Sequence, residues 1–379
     1  MPYEIDFIGV NKEQAAKDAD AICLRWKNYD QYGNAVYKVG VVDGGFENHG
    51  KAIVRHMNRY YFNDWGGNKK PDEKVIDFMI VTHSDNDHTI GLKQVLENFS
   101  VKKIYMNIPW LYESELYDFI RDRRITPYSL TRKLREAYPH VSEIEDIAVK
   151  QGIPIYSAFQ GTLIEERLRI LSPTKDFYLQ LLVDSDKTPL QEESSLLHQI
   201  GDSHQKMEEA AKAYAYTKYE SWQDEILRED VDTTAENESS VVLYGNMDEE
   251  GFLLTGDAGI QALRIAMDYM DSIDIDIKQR VSFYQIPHHG SRRNVSPSIL
   301  NRMLGDKVAK YETKRKKAFA SAADSSDHPL KVVTNAYTKR GVKVYKTGAN
   351  CIRHHRGEMP ERNWEAATPI EFSNYVEEW

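Results

Sequence analysis

The chain has 379 residues, 41% of them hydrophobic and 28% charged, with 13 prolines and 21 glycines; that balance is globular and excludes disordered or fibrous classes. Lys and Arg number 49 against 59 Asp and Glu, a net charge of −10, so the surface as a whole repels polyanions and any nucleic-acid contact must come from a local basic patch. The two cysteines, Cys23 and Cys351, exclude a disulfide framework and a thiolate zinc site and fit a reducing compartment. Met1 to Val10 carries acidic residues and no basic leader, and no apolar run reaches the ~18 residues of a membrane helix; a cytoplasmic protein without a membrane span is expected.

In chain order, Tyr3 to Val10, Ala21 to Trp26 and Val36 to Val42 read as strands, the last running into the turn Asp43-Gly44-Gly45. Ile53, Val54, Met57 and Tyr61 fall at helical spacing, and Val75 to Val81 is an apolar run suited to a strand buried on both faces. A helix carrying Leu92, Val95 and Leu96, a strand Lys103 to Ile108 and a helical stretch broken at Pro127 come next, then strands at Ile153 to Tyr156 and Leu168 to Leu171. Residues 175–232 are polar and nearly glycine-free; Met207, Ala211, Tyr214, Trp222 and Ile226 share one helical face. This reads as a helical insertion packed on one side of the domain, with a substrate lid or partner-docking arm as the alternative. Strands resume at Ser239 to Tyr244 and Phe252 to Leu254, separated by a turn at Gly245-Asn246-Met247-Asp248, and alternate with helices to Tyr345. The expected organisation is one domain over 1–351 that includes the insertion, then a C-terminal tail over 352–379 with no clear period.

The chemistry concentrates at strand ends. Directly after the buried run comes Thr82-His83-Ser84-Asp85-Asn86-Asp87-His88, four donors within six residues. A strand ending in a tight loop can turn His83 and Asp85 toward one metal, while Asp87 and His88, at a helix start, face a second; imidazole with carboxylate suits zinc or manganese. The alternative is a polar loop whose aspartates cap a helix. Leu254-Thr255-Gly256-Asp257 sets a carboxylate after another apolar strand, and Pro287-His288-His289-Gly290-Ser291 ends a third. Any one of these is compatible with a structural turn; three His and Asp clusters at strand ends point to a site.

These motifs, with the Asp43-Gly44-Gly45 turn and Asn237-x-Ser239-Ser240, resemble the metallo-β-lactamase superfamily, and most of all the soluble hydrolase domain of ComEC-type competence (DNA-uptake) proteins in a free-standing form. The resemblance runs in order from about residue 3 to residue 350, including Ser321, His328-Pro329 and Gly341 to Tyr345, and omits the insertion and the tail. It implies an α/β (α+β) fold, an αββα sandwich with a metal site along one edge. It also implies that His83 and Asp85 are first-site ligands, Asp87 and His88 second-site ligands and Asp257 the bridging carboxylate. His289 is taken as the remaining second-site ligand, with His288 beside it contacting substrate. Asp85 and Asn237 depart from the general superfamily pattern, which has histidines there. A carboxylate and a neutral amide make the first site harder and weaker, suited to Mn²⁺ or Mg²⁺ or to binding with substrate present.

The expected cofactor is therefore Zn²⁺ or Mn²⁺, one or two ions, with Mg²⁺ as an alternative. Such an ion lowers the pKa of bound water and supplies hydroxide for in-line attack on a phosphodiester. Ser291 or the Asn237 amide would donate to developing charge, and His288, His328 or water would protonate the leaving group. Arg292 and Arg293, with Lys307, Lys310, Lys314, Arg315, Lys316 and Lys317 expected in the next helix, read either as a solvated face or as phosphate clamps beside the metal edge. Trp110, Tyr112 and Tyr117 read as helix-packing aromatics before base-stacking ones, and His354 and His355 as surface residues. The expectation is a metal-dependent hydrolase of phosphodiesters acting on single-stranded DNA or RNA, with an operon-encoded protein partner and no membrane. The alternatives are an ester, thioester, lactone or signalling-nucleotide hydrolase, and a partner-docking module with a degraded metal site.

Overall fold

The computed structural model describes residues 1–11, 17–117, 119, 126–188, 217–310 and 312–378. The first part of the chain supplies strands β1 (Tyr3–Phe7), β2 (Ala21–Tyr29), β3 (Ala35–Gly44), β4 (Phe78–Ile80), β5 (Ile104–Tyr105) and β6 (Ile155–Tyr156). Between them run helices α1 (Glu47–Tyr60), α2 (Leu92–Asn98), α3 (Pro127–Ala137) and α4 (Pro139–Gln151). The second part supplies β7 (Leu163–Ile164), β8 (Leu168–Ser172), β9 (Thr217–Tyr219), β10 (Val242–Met247), β11 (Glu250–Leu254), β12 (Val281–Gln285), β13 (Lys316–Ala320) and β14 (Val342–Lys346). Its helices are α5 (Lys175–Asp184), α6 (Ile260–Ser272), α7 (Pro297–Leu304) and α8 (Lys331–Thr338). The chain then returns as β15 (Ile352–Arg356) and β16 (Tyr375–Glu377).

Two seven-stranded sheets result, ordered β15-β1-β2-β3-β4-β5-β6 and β14-β13-β12-β11-β10-β8-β7. Each has an antiparallel part and a parallel part: β3, β4, β5 and β6 in one, β11, β12, β13 and β14 in the other. Period-two alternation sorts the faces. Tyr3, Ile5 and Phe7 of β1 and Ile22, Leu24 and Trp26 of β2 face the opposite sheet, where they meet Phe252, Leu254, Phe283 and Phe319. Cys23, Val39, Val41 and Met79 face outward under α1, α2 and α4, and Leu253, Tyr284 and Ala318 face outward under α6, α7 and α8. Helix, sheet, sheet, helix is therefore the layer order, the αββα sandwich that the resemblance implies. Among the described residues no helix is long and apolar enough to cross a membrane.

Local chemistry moves several boundaries. The apolar run at 75–81 divides at Asp77, whose buried carboxylate accepts from the Val39 amide at 3.0 Å, so Val75–Ile76 and Phe78–Ile80 join separate ladders. Pro127 opens α3 as its first residue, with Thr126 Oγ1 accepting from the Ser129 amide. Gly245, Asn246 and Met247 belong to β10, not to a turn; a Cβ at Gly245 would stand 2.2 Å from the Phe252 ring that covers it. The chain reverses instead at Asp248 and Glu249, Asp248 having φ +66°.

Of the insertion face, Met207, Ala211 and Tyr214 lie outside the described residues, while Trp222 and Ile226 lie in non-helical chain before β10. Residues 352–356, in the stretch without clear period, pair with β1 from Tyr3↔Arg356 to Phe7↔Ile352. That pairing buries His354, expected at the surface, where it stacks on Phe283 with ring centroids 4.3 Å apart.

Candidate metal centre

Loops that follow parallel strands collect at one end of the sandwich: Asp43 closes β3, Thr82 to His88 follow β4, Asp257 follows β11, and His288 and His289 follow β12. There one donor atom each from Asp87, His88, Asp257 and His289 lies within 4.8 Å of the others. His88 Nε2 stands 3.2 Å from Asp257 Oδ1, and His289 Nε2 3.3 Å from Asp87 Oδ2. The buried His88 Nε2 and Asp257 Oδ1 have no hydrogen-bond partner. A buried polar atom without a partner costs about 1–3 kcal/mol, so two that converge mark a place built for a cation. The donor set of two imidazoles and two carboxylates fits a divalent ion such as zinc or manganese.

The other oxygen of Asp257 faces a second group. Asp257 Oδ2 lies 4.0 Å from His83 Nε2 and 3.6 Å from His288 Nε2, and His83 Nε2, also unpartnered, lies 3.7 Å from Asp85 Oδ2. Asp257 thus stands between two donor groups, one per oxygen. Asp85 occupies the N-cap position of the short helix Asn86–Thr89 but makes no cap hydrogen bond. Its Oδ1 instead pairs with Lys187 Nζ at 2.6 Å, just beyond α5. Asn237, buried, donates from Nδ2 to Thr233 Oγ1 at 2.8 Å and lies 3.2 Å from His288 Nδ1.

The donors are oriented from outside the cluster. Asp43 Oδ1 accepts from the Thr82 amide at 2.8 Å, and its Oδ2 lies 2.6 Å from Thr82 Oγ1 and 2.7 Å from His88 Nδ1. An ionised carboxylate only accepts, so the His88 Nδ1 proton is fixed and Nε2 turns inward. Asn294 Nδ2 donates to the Asp257 carbonyl at 2.7 Å, which leaves Asn294 Oδ1 to accept from His288 Nδ1 at 2.9 Å. His288 and His289 hold left-handed φ values of +47° and +58°, backbone strain of the kind that functional sites retain. Gly290, at φ +96°, lets this turn lie against Pro329, whose Cβ a side chain there would meet at 2.3 Å.

Charge in the cluster is strongly coupled. Burial disfavours an imidazolium at His88, but Asp257 and Asp43 outweigh it and raise the ring well above its usual range. Burial likewise opposes charge on His289, yet Asp257, Asp87 and Asp20 hold it at about 10. Those ring protons are what a divalent ion would displace. At His288 burial prevails and lowers the pKa, which favours the neutral ring.

Other expected participants lie elsewhere in the hydrogen-bond network. Ser291 Oγ accepts from the Arg293 amide at 3.3 Å within its own turn. His328 Nδ1 pairs with Asp18 Oδ2 at 2.8 Å, its ring 6.5 Å from that of His288. Arg292 Nη1 donates to the Glu378 carbonyl at 2.6 Å and Arg293 Nη1 to the Asp232 carbonyl at 3.4 Å. The basic stretch is a correction. Gly305 ends α7, and residues 305–310 and 312–315 are non-helical chain before β13. Lys314 Nζ donates to the Leu304 carbonyl and Lys316 Nζ to the Val281 carbonyl, at the start of β12. These lysines stand at the sheet end opposite the donor cluster and cannot clamp a phosphate there. Trp110 and Tyr112 are buried, as packing aromatics are.

Sequence reasoning missed Asp20, Gln285, Asn294 and Lys187 as residues of the site. The available signal for two of them was a polar residue in an apolar setting: Gln285 ends the run Val281–Gln285, and Asp20 precedes the apolar start of β2.

No protein-family model matches the chain, and no curated protein matches it in sequence. Solved structures similar to it include a long-form RNase Z from yeast, at 12% identity over 84% of this chain and 37% of that one, TM-score 0.35. A protein from Thermotoga maritima assigned to the metallo-β-lactamases aligns at 10% identity over 73% of this chain and 94% of that one, TM-score 0.32. The metallo-β-lactamase SMB-1 bound to 2-mercaptoethanesulfonate aligns at 6% identity over 79% and 86%, TM-score 0.31. The chain thus spans well under half the length of the RNase Z it matches.

Proposed function

We propose that this chain is a metal-dependent hydrolase of phosphodiesters whose substrate is single-stranded DNA or RNA, in keeping with the ComEC-type motif order of its sequence. The observation that carries the reading is the convergence of Asp87, His88, Asp257 and His289 with buried, unpartnered atoms at its centre. Asp87, His88, Asp257 and His289 would hold the ion, with His83, Asp85 and His288 beside the second oxygen of Asp257. When bound, a divalent ion acidifies water toward neutrality and polarises a substrate oxygen. Asp43 keeps the Nε2 of His88 aimed inward, and Asn294 keeps the His288 Nδ1 proton in place, so His288 presents Nε2 at the edge of the cluster. A ring held there, neutral by burial, can take or return a proton at the leaving oxygen.

A narrow cleft beside His83, lined by Pro109, Tyr138, Val141, Tyr178 and Leu182, favours a second reading. Its apolar walls, with the Glu236 carboxylate among them, suit the apolar or aromatic end of a small ester better than a polyanion. One experiment separates the readings: wild type and Asp257→Ala, with Mn²⁺ or Zn²⁺ supplied separately, are given an end-labelled single-stranded oligonucleotide and bis(4-nitrophenyl) phosphate. Oligonucleotide cleavage that disappears in the variant supports the nuclease. Hydrolysis of the small diester alone moves the substrate to the cleft, and no metal-dependent turnover of either sinks the phosphodiesterase reading.

A further inference from the structure

Asp20 precedes β2 and is 1% exposed, and among the described residues neither a lysine nor an arginine is paired to it; the basic group nearest its oxygens is the His88 ring. The partner of the Asp20 side chain is an amide. Gln285 Oε1 accepts from the amides of Thr255 at 2.9 Å and Gly256 at 3.1 Å, which fixes the orientation of the side chain. Gln285 Nε2 therefore points at Asp20 and donates to its Oδ2 at 2.9 Å. Asp20 Oδ1 and the Ser321 hydroxyl are buried and both lack a hydrogen-bond partner. The backbone ties the residue to the site as well, since the Asp20 amide donates to the Asp87 carbonyl at 3.1 Å. Asp20 Oδ2 lies 3.9 Å from His88 Nε2, on the same buried nitrogen that faces Asp257.

A carboxylate buried with no lysine or arginine beside it is costly for a fold to hold. Here it is held in place by an oriented glutamine and turned toward a nitrogen that is itself unpartnered. We propose that Asp20 is a further carboxylate ligand of the ion held by Asp87, His88, Asp257 and His289, an inference that rests on the metal-centre reading above. The donor set then has three carboxylates and two imidazoles. So oxygen-rich a set shifts preference from Zn²⁺ toward harder ions such as Mn²⁺.

Binding of Mn²⁺ and of Zn²⁺ to metal-stripped wild type and Asp20→Asn, measured by calorimetry, tests this without any turnover assay. Asn is isosteric and can still accept from Gln285, so the stripped variant should fold with the far-UV spectrum of wild type. The expected result is a loss of Mn²⁺ affinity of at least about 10-fold, with a smaller loss for Zn²⁺. Equal affinities and an unchanged Mn²⁺/Zn²⁺ ratio would overturn the assignment while leaving the metal centre intact. Wild type that binds neither ion would overturn the metal-centre reading and this inference with it. A crystal of wild type grown with Mn²⁺ gives a second readout independent of any variant: an Asp20 oxygen inside the coordination shell supports the assignment, and one outside it ends it.

Discussion

Asp43 controls the donor cluster without joining it, because it decides which nitrogen of His88 carries the proton. In Asp43→Asn the amide would present either an N–H to His88 Nδ1, forcing the proton to Nε2, or its oxygen to that ring with its NH₂ against the Thr82 amide N–H. The first takes the Nε2 lone pair from His88, and the second sets two donors against each other and displaces the group that aligns the ring. The expected outcome is a loss of Mn²⁺ or Zn²⁺ affinity of about 10- to 100-fold, read by competition with a chelating dye, with the far-UV spectrum unchanged. Affinity equal to wild type would show that the His88 tautomer is set by something other than Asp43. The same distinction explains what sequence could reveal here. His83, Asp85, Asp87 and His88 are legible because they crowd into one loop after an apolar strand, and Asp257 and His289 because each follows another such strand. The groups that aim them are not legible by spacing: Gln285 and Asp20 are 265 residues apart in the chain, and Asp43 and His88 are 45 apart. Lys187, which takes up one oxygen of Asp85, sits 102 residues from it. Only the closed fold brings these pairs together.

At the scale of elements, β13 shows how a charge run can mislead. Six basic residues between Lys307 and Lys317 look like a solvated or phosphate-binding helix face, yet Lys316 is the first residue of a strand and nearly buried. Its ammonium donates to the Val281 carbonyl at 2.9 Å and lies 3.0 Å from the Tyr284 hydroxyl, with no carboxylate among the described residues paired to it. Burial pushes its pKa down to about 8, Lys314 adding to the fall. For a base with a lowered native pKa the unfolded chain binds more protons between the two values, so stability rises with pH there. Wild type should gain roughly 2–4 kcal/mol from this residue between pH 8 and its unfolded value near 10.4, and Lys316→Met should lack that rise. Urea unfolding at pH 7.5 and 9.5 checks it: equal slopes with pH in the two proteins would show that the buried ammonium carries no penalty. Element identity was otherwise legible wherever a period was clean, as in β1, β2 and α1. It failed where a single polar residue, Asp77, or a glycine under an aromatic ring, Gly245, carried tertiary information that local pattern does not hold.

At the scale of the whole molecule, the segment after β14 ties the two halves of the sandwich together. β15 closes the first sheet beside β1, and Ile370 N donates to the Val344 carbonyl at the edge of the second. β16 pairs with β9, and the Glu377 carboxylate accepts from the Lys331 and Val332 amides at the start of α8. A polar stretch without apolar period hides this role, since its anchors are ionic. The strongest is Arg362, 1% exposed by side chain, whose two terminal nitrogens meet Asp6 Oδ1 and Oδ2 at 2.8 Å each while one also reaches Glu4 Oε1 at 2.7 Å. Tyr60, Tyr61 and Trp364 enclose the guanidinium. Burial would push the Asp6 carboxyl up, but Arg362 and His56 hold it well below the usual carboxylate range. Arg362→Gln leaves Asp6 in the interior with only His56 and the Tyr61 hydroxyl to hold its charge and should cost about 3 kcal/mol at pH 7, the low end of the penalty for breaking a buried pair from one side. The sign with pH follows from linkage: a carboxylate with a lowered native pKa contributes stability that is complete above its unfolded value near ~3.9 and is lost as pH falls toward the native one. The gap between wild type and variant should therefore be widest near neutrality and narrow as the solution is acidified. A gap that stays constant from pH 7 to pH 3.5 in urea unfolding would assign the loss to the packing of the guanidinium against its aromatic neighbours instead of to its charge.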